Sequence, residues 1–206
     1  WVRAGFKILL DIDVTFSETV TSTGSVTVTL ETGATDRTCT FSVSSASTGT
    51  CNYTVQSGDN SSDLEASISG TIADASGNVL TNFTPATNLA ANKALVVDTT
   101  APSAPGTPDM TSGTDIGIST TDNLTADTTP DFTISCEDGT TVTLYDNVTS
   151  LGTGVCASST VTITSSTLSN GTHASINATQ TDVALNASSV SGNLSITIDS
   201  TLPTIT

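Results

Sequence analysis

Four cysteines in two close pairs are the residues of this 206-residue chain with the most evident chemistry. Cys39 and Cys51 lie in the first half, and Cys136 and Cys156 lie in the second. Pairings that cross between the halves would join separate domains through a proline-rich segment. We therefore expect the disulfides Cys39–Cys51 and Cys136–Cys156, which form in an oxidising, extracellular compartment. The alternative is four buried thiols in a reducing compartment.

Asparagine is the second residue type with a potential chemistry, because Asn-x-Ser/Thr triplets accept N-linked sugar. Nine of the twelve asparagines begin such a triplet, namely Asn52, Asn60, Asn82, Asn123, Asn147, Asn170, Asn177, Asn186 and Asn193. The period of two in the surrounding residues predicts that Asn177 lies on an outward face with His173 and Ser175. Glycosylation of an extracellular surface is the prediction. The alternative is ordinary turn chemistry in a chain rich in Ser and Thr.

The remaining reactive residues do not form a catalytic pattern. His173 is the only histidine, and it has neither a cysteine nor an acidic partner nearby in the sequence, so we expect a surface residue rather than a base or a zinc ligand. Asp11 and Asp13 lie on one face of a predicted strand, like a glycosidase pair, but the chain lacks the aromatic platforms that bind sugar. The sequence predicts a protein that is not an enzyme.

Charge is distributed unevenly along the chain, whose formal net charge is −16. All four basic residues lie in the first half, at Arg3, Lys7, Arg37 and Lys93. The second half holds carboxylates without any Lys or Arg, including Asp109, Asp115, Asp122, Asp127, Asp131 and Asp182. These groups must be solvated or neutralised by bound cations. Nucleic acid is excluded as a partner because its phosphates require basic residues.

The elements that would position these residues are strands. Leu10, Ile12, Val14 and Phe16 alternate with polar residues, so we expect them to face a core. Similar alternation recurs through both halves, and Leu95 and Val97 would form the last strand of the first domain. Ser, Thr and Val dominate, and Gly, Asn and Asp punctuate at short intervals, which predicts an all-β fold. No stretch is long and apolar enough to span a membrane.

An internal repeat divides the chain. Asp98 and Asp199 are 101 positions apart, as are Pro102 and Pro203. A period of about 100 residues fits one immunoglobulin-like sandwich. We expect two such domains, 1–99 and 100–199, with 200–206 beginning the next repeat or a linker. The joint, residues 99–111, holds three prolines and should be a stiff connector. Since the chain has no initiator Met, we expect it to be a segment of a longer protein.

The second half resembles the bacterial Ig-like repeats of large surface adhesins and biofilm-associated proteins. The resemblance rests on five motifs in order, Thr121-Asp122-Asn123-Leu124-Thr125 with Asp127-Thr128-Thr129-Pro130, Thr141-Val142-Thr143-Leu144-Tyr145-Asp146, Leu151-Gly152-Thr153, Gly171-Thr172-His173, and Ile198-Asp199. The first half is similar to another Ig-like module of repetitive surface proteins, through Gly5, Ile12-Asp13-Val14-Thr15-Phe16-Ser17-Glu18, Tyr53-Thr54-Val55-Gln56-Ser57-Gly58-Asp59 and Asp74-Ala75-Ser76-Gly77-Asn78. The cysteine pairs, and Leu202 where the linker normally carries Ala, depart from the pattern.

The resemblance implies a spacing role and calcium at the joints between repeats. Matched residue by residue, the ligands it implies are Asp74, Asp182, Asp98 and Asp199, with Asp122 as a further candidate. Calcium takes six to eight oxygen ligands, so a joint would be rigid when filled. For each aspartate, the alternative is a turn residue that accepts hydrogen bonds from its own backbone.

The sequence thus predicts a non-enzymatic, extracellular segment of a cell-surface fibre or adhesin stalk. Its partners would be neighbouring copies of the repeat, with cell-surface glycans or other cells bound through regions outside this chain. The alternative is a glycosylated subunit of a non-covalent extracellular filament or sheath, assembled by lending a strand to the next subunit. A weaker alternative is a carbohydrate-binding accessory module.

Overall fold

The structure, a computed structural model, describes residues 2–3 and 9–205. Gly5 and Lys7 lie outside the described residues. The chain divides into two compact units, Trp1–Thr100 and Ala101–Thr206, here called unit 1 and unit 2. Both are built from strands, so the predicted all-β fold is confirmed.

The described residues of unit 1 form nine strands and one helical turn. They are β1 (Val2–Arg3), β2 (Leu9–Ser22), β3 (Val26–Leu30), β4 (Arg37–Phe41), β5 (Ala46–Thr54), β6 (Asn60–Ser61), β7 (Ala66–Ser69), β8 (Ile72–Asp74), α1 (Leu89–Asn92) and β9 (Val97–Asp98). Three sheets result, with strand orders β5-β2-β8, β4-β3-β7 and β1-β9-β6. Only the β1/β9 pair among them is parallel.

The alternating residues of unit 1 build its core as the sequence predicts. Ile12 and Val14 of β2 are buried, while Asp11 and Asp13 face solvent. Strand β3 completes the core with side chains that are fully buried, at Val26, Val28 and Leu30. Apolar side chains on every second residue give each sheet one buried face. This fixes the register of the strands, because a shift by one residue would expose the apolar side chains.

The end of unit 1 differs from the prediction. Residues 80–96 form coil and the single turn α1, capped by the Asn88 side chain, and no described strand runs through them. The expected last strand at Leu95 and Val97 is reduced to β9, which begins at Val97. Leu95 still packs against the core, but its N–H donates to the Asp63 carboxylate at 3.1 Å instead of extending β9. The Leu95 carbonyl still accepts from Leu64 N at 2.8 Å, so a side chain takes over only the N–H of this residue.

Unit 2 contains eight strands, where the sequence predicts about seven. They are β10 (Asp109–Met110), β11 (Leu124–Thr125), β12 (Asp131–Ser135), β13 (Thr141–Asp146), β14 (Thr149–Val155), β15 (Thr160–Thr164), β16 (Gly171–Thr181) and β17 (Leu194–Ile198). Two sheets, β10-β12-β15 and β11-β17-β16-β13-β14, enclose one core. The pair β11/β17 is parallel and the other pairs are antiparallel.

Two glycines allow β14 and β15 to approach closely at the edge of this sandwich. A Cβ on Gly152 would lie 2.9 Å from Cγ2 of Ile163, and one on Gly154 would lie 2.6 Å from Cγ2 of Val161. Both distances are below van der Waals contact, so any larger residue would force the sheets apart. The apolar side chains of β15 thus cover the glycines of β14.

The alternation of strand β16 is interrupted by a bulge. His173 pairs with Ile196, whereas Ile176 pairs with Leu194, so β16 has one more residue here than β17. An extra residue changes which side chains share a face. The prediction that His173, Ser175 and Asn177 share an outward face is therefore wrong. Asn177 is only 8% exposed, because residues 188–193 run back along β16 and cover it.

No helix in the part of the chain that the structure describes is long and apolar enough to cross a membrane.

Candidate functional site

Both disulfides predicted from the sequence are present. Cys39 of β4 is joined to Cys51 of β5, with a Cα–Cα distance of 5.6 Å. Cys136, after β12, is joined to Cys156, after β14, at 6.0 Å. Each bond connects different sheets within one unit, so each holds its own sandwich closed.

The residues that leave unit 1 are held by the side chain of Asn60. Its Oδ1 accepts hydrogen bonds from Thr99 N at 2.9 Å and from Thr100 Oγ1 at 3.1 Å. Thr99 Oγ1 donates to Asp59 O at 3.0 Å. The Asp98 carboxylate accepts the N–H of Thr100 at 2.9 Å. We call these bonds the exit contacts of unit 1; they fix the backbone for two residues beyond β9.

Unit 2 ends in the same way. Oδ1 of Asn170 accepts hydrogen bonds from Ser200 N at 3.2 Å and Ser200 Oγ at 2.7 Å, and its Nδ2 donates to Thr201 Oγ1 at 2.8 Å. Asp199 accepts the N–H of Thr201 at 3.0 Å. These exit contacts of unit 2 use an asparagine, an aspartate and two hydroxyl residues, as unit 1 does. The same arrangement therefore occurs at two ends 101 positions apart.

The residues that enter unit 2 are also held. Ser103 donates its N–H to a Glu137 carboxylate oxygen at 2.8 Å, and its carbonyl accepts from Nε2 of Gln180 at 2.8 Å. Gln180 is buried, and its Oε1 accepts from Glu137 N and Thr140 Oγ1. The hydrogen bonds from Ser103 lower the pKa of the Glu137 carboxyl. We call these bonds the entry contacts of unit 2.

The connector is consequently shorter than the sequence predicts. Of the expected stretch 99–111, Pro105 and Pro108 are buried in unit 2, and Gly106 N donates to Ser135 O at 2.8 Å. Asp109 and Met110 form β10. Between the exit contacts of unit 1, which end at Thr100, and the entry contacts of unit 2, which begin at Ser103, lie two residues, Ala101 and Pro102.

The five candidate calcium ligands occupy turns or strand ends. Each carboxylate accepts a backbone N–H two to four residues later, at Asp74, Asp98, Asp122, Asp182 and Asp199. Asp74 and Asp182 also accept a hydrogen bond from the side-chain amide of an asparagine, which lowers the pKa of Asp74. No group of three or more acidic, His or Cys residues that could hold a metal ion occurs among the described residues. The structure therefore does not assemble these five into one site.

Asp115 is the carboxylate that the candidate set omits. It is 1% exposed, its Oδ2 accepts only a long bond from Asn123 N at 3.2 Å, and its Oδ1 is buried without a hydrogen-bond partner. The Asp115 carboxylate thus contacts the backbone of the residue that follows Asp122. An uncompensated buried carboxylate is costly in a unit without Lys or Arg. A cation at Asp115 and Asp122 would supply the missing partner. The sequence pattern gave no sign of this burial.

The nine Asn-x-Ser/Thr asparagines fall into distinct environments. Asn177 and Asn186 are buried at 8% and 5% exposure, so their amides are covered. Asn60 and Asn170 are the residues of the exit contacts, and Asn123 is half-buried. The remaining four are exposed, at Asn52, Asn82, Asn147 and Asn193.

A buried ionic network stabilises unit 1 near its exit. Asp59, which is 1% exposed, accepts hydrogen bonds from Arg37 Nε at 2.8 Å, Tyr53 OH at 2.6 Å and Gln56 N at 2.8 Å. Burial raises the pKa of Asp59, but these three donors outweigh it and the net shift is downward. Burial and the neighbouring Asp59 carboxylate raise the pKa of Tyr53. The network fixes the Asp59 backbone that receives Thr99.

His173 has an acidic partner that is distant in sequence. Its Nδ1 lies 2.7 Å from Asp146 Oδ2, and its Nε2 lies 2.9 Å from Ser169 O. Burial lowers the pKa of His173, but both acceptors favour the imidazolium and the net shift is upward. His173 is half-buried, and its partner lies far away in the sequence because β13 and β16 are adjacent strands, which brings residues 146 and 173 together.

Comparison with known proteins identifies a domain family for the second half of the chain. No curated protein matches the chain. Among solved structures, it is similar to one titled "Biofilm associated protein - BSP domain", with 17% identity and a TM-score of 0.34, over 91% of this chain and 29% of that chain. The chain thus spans less than a third of that structure's chain. Residues 100–200 match the model of the bacterial Ig-like domain, a range that contains every strand from β10 to β17. Residues 100–200 of the chain are therefore a bacterial Ig-like domain.

Proposed function

We propose that this chain is a structural spacer segment of an extracellular bacterial surface fibre or adhesin stalk, without chemistry of its own. The observation that carries the proposal is the recurrence of the exit contacts at Thr99–Thr100 and at Ser200–Thr201. A module that binds or catalyses has no need to fix the backbone beyond its last strand. A spacer does, because its reach depends on how freely each joint bends.

The short joint supports the same function. Two residues separate the exit contacts of unit 1 from the entry contacts of unit 2, and Pro102 has a fixed φ. We infer that rotation at this joint is restricted to few backbone angles. Disulfides in both units and the family of residues 100–200 support a surface location.

The exposed surface of the spacer is the part open to glycosylation. We propose Asn52, Asn82 and Asn147 as the sugar-bearing residues, because each is exposed and begins an Asn-x-Thr triplet. Asn147 lies in the β13–β14 hairpin turn. Asn60 and Asn170 are left out of this set because their side-chain amides form the exit contacts. Mass mapping of glycopeptides from the native protein tests this choice, and sugar on the buried Asn177 or Asn186 would contradict it.

Calcium binding is proposed at Asp115 and Asp122 in unit 2. The support is the buried Oδ1 of Asp115, which has no hydrogen-bond partner, in a unit that contains ten carboxylates and no Lys or Arg. Calcium prefers carboxylate and carbonyl oxygens, which this loop supplies. Asp74, Asp98, Asp182 and Asp199 remain the further ligands that the family resemblance implies, and each of them, like Asp122, accepts a backbone hydrogen bond.

The spacer function is tested by the distribution of distances between the units. Spin labels at Asp36→Cys and Val148→Cys, both exposed positions, report that distribution by pulsed electron resonance. We expect a narrow distribution that broadens when Asn60→Ala and Gln180→Ala remove the contacts on both sides of the joint. The exposed Asn52→Ala is the matched control and should leave the distribution unchanged. A distribution that is already broad in the unsubstituted chain would contradict the proposal.

The mass of the native protein distinguishes a covalent array of repeats from a filament built from separate subunits. The native protein, reduced and fully denatured, should be much larger than this 20.7 kDa segment if the repeats are covalently joined. A mass close to one or a few such segments would favour the subunit filament instead.

A further inference from the structure

A cavity of about 750 Å³ lies in unit 1, along one edge of strand β2. Seven consecutive residues of that strand, 12–18, line it. Because neighbouring side chains of a strand point to opposite faces, a cavity that touches all seven must run along the strand edge. Its length is therefore about 23 Å at about 3.3 Å per residue.

The backbone of β2 is open on this side. Strand β5 pairs with the other edge of β2, and β8 covers the near edge only at Val20–Ser22. Among the described strands, none pairs with residues 9–19 on the side of β8. The cover here is the coil and single turn α1 that replace the expected last strand. An open edge with space beside it is the geometry that accepts an added strand.

The walls of the cavity define what such a strand would carry. Core side chains form an apolar floor, including Val14, Ile68 and Ile72. Asp13 and Glu18 are exposed on β2 and contribute carboxylates at the rim. Among the residues that the structure describes, none that lines the cavity is Lys or Arg. A strand with apolar residues on one face and basic residues on the other would match both surfaces.

We propose that this cavity binds an extended segment of a different protein, in which apolar and basic residues alternate, as an added strand on β2. A second copy of this chain is a poor occupant, since its net charge is −16 and its four basic residues are widely separated in sequence. The volume lies within the range of about 300–1,000 Å³ that is typical of ligand sites. This inference is independent of the spacer function, which concerns the ends of the units.

The proposal is tested with a fluorescent peptide of about eight residues in which Val and Lys alternate, a length typical of strands. Fluorescence anisotropy should show saturable binding to the full chain that weakens with added salt. A peptide with Glu in place of each Lys should bind at least about tenfold more weakly. So should a peptide N-methylated at every second residue, which retains the side chains but loses the donors of one edge.

Charge reversal locates the site. Asp13→Lys with Glu18→Lys should weaken binding of the basic peptide at least about tenfold and favour the acidic one. Glu31→Lys with Asp36→Lys makes the same change in net charge at exposed positions that do not line the cavity, and should have little effect. All four residues are exposed, so circular dichroism should show unchanged folding.

Four results would overturn the proposal. The first is no saturable binding of the basic peptide, and the second is equal binding of the N-methylated peptide. The third is an equal effect of the two charge reversals, which would show attraction to net charge alone. Concentration-dependent dimerisation by sedimentation velocity, lost in Asp13→Lys with Glu18→Lys, would assign the site to a second copy and also contradict the proposal.

Discussion

Replacement of Asp59 is the substitution whose effect the structure defines most fully. Its carboxylate accepts hydrogen bonds from Tyr53, Gln56 and Arg37 within unit 1. Asp59→Ala would leave the buried Tyr53 hydroxyl without its acceptor, at a cost of about 1–3 kcal/mol. The N–H of Gln56 would lose its acceptor as well. The Arg37 side chain is 26% exposed, so the loss of its partner adds at most about 1 kcal/mol.

Together these losses predict that unit 1 is destabilised by about 3 kcal/mol. For a domain of this size, that corresponds to a fall in melting temperature of at least about 12 °C. Differential scanning calorimetry of the full chain should show one transition moving while that of unit 2 stays in place. Asp36→Ala is the matched control, since Asp36 is exposed and should change stability by less than about 0.5 kcal/mol.

The pH dependence of the stability of unit 1 separates the effect of the Asp59 charge from that of its hydrogen bonds, when the unsubstituted chain is compared with Asp59→Asn. The folded-state pKa of Asp59 is below its ordinary value, so the unfolded chain binds the proton first as pH falls below about 4. Unit 1 should therefore lose stability below that pH, and Asp59→Asn should lose less of it. A loss below about 1 kcal/mol in Asp59→Ala at neutral pH would refute the reasoning, because it would show that the buried donors find other partners.

Three further predictions concern the disulfides, His173 and calcium. Removal of either disulfide by paired Cys→Ser substitution should destabilise its own unit by about 2–4 kcal/mol in denaturant unfolding, and an unchanged midpoint would be inconsistent with a structural role. His173→Gln should destabilise unit 2 by about 1 kcal/mol below pH of about 6.5, with the difference disappearing as pH rises through the raised folded-state pKa; a pH-independent difference would contradict the Asp146 ion pair. Calcium should raise the melting temperature of unit 2 above its value in sodium chloride of equal ionic strength. Asp115→Asn should abolish this difference, whereas the exposed Asp109→Asn should not. Equal melting temperatures of the unsubstituted chain in both salts would exclude the site.

The sequence predicts the strands well where burial is one-sided. Ile12 and Val14 alternate with Asp11 and Asp13, and β2 follows that pattern. Prediction from the sequence fails where tertiary contacts override the local alternation of apolar and polar residues. Asn177 is polar and in phase with an outward face, but a bulge changes the phase and residues 188–193 cover the strand. The cover is formed by coil, which has no periodicity to recognise.

The candidate site shows the same limit. Asp98 and Asp199 are visible as a repeat because they are equally spaced from the joint prolines. Asn60 and Asn170, which complete the exit contacts, precede these aspartates by different intervals. Neither interval belongs to a sequence pattern that predicts a contact. Both asparagines instead begin sequence triplets that point to glycosylation. Pairing across a fold through side-chain amides is set by topology, so a single sequence could not have revealed it.

The position of the exit contacts bears on how a fibre of such units could vary along its length. Each set is formed by residues of one unit, so it does not depend on which domain follows. A joint stabilised by an interface would require neighbouring domains to change together. Exit contacts that lie within each domain allow different modules to be placed in series, as the dissimilar units 1 and 2 are here. On the proposed function, substitution of Asn60 should loosen its own joint and leave the exit at Asn170 unaffected, which a second label pair spanning the joint after unit 2 in a longer segment would detect.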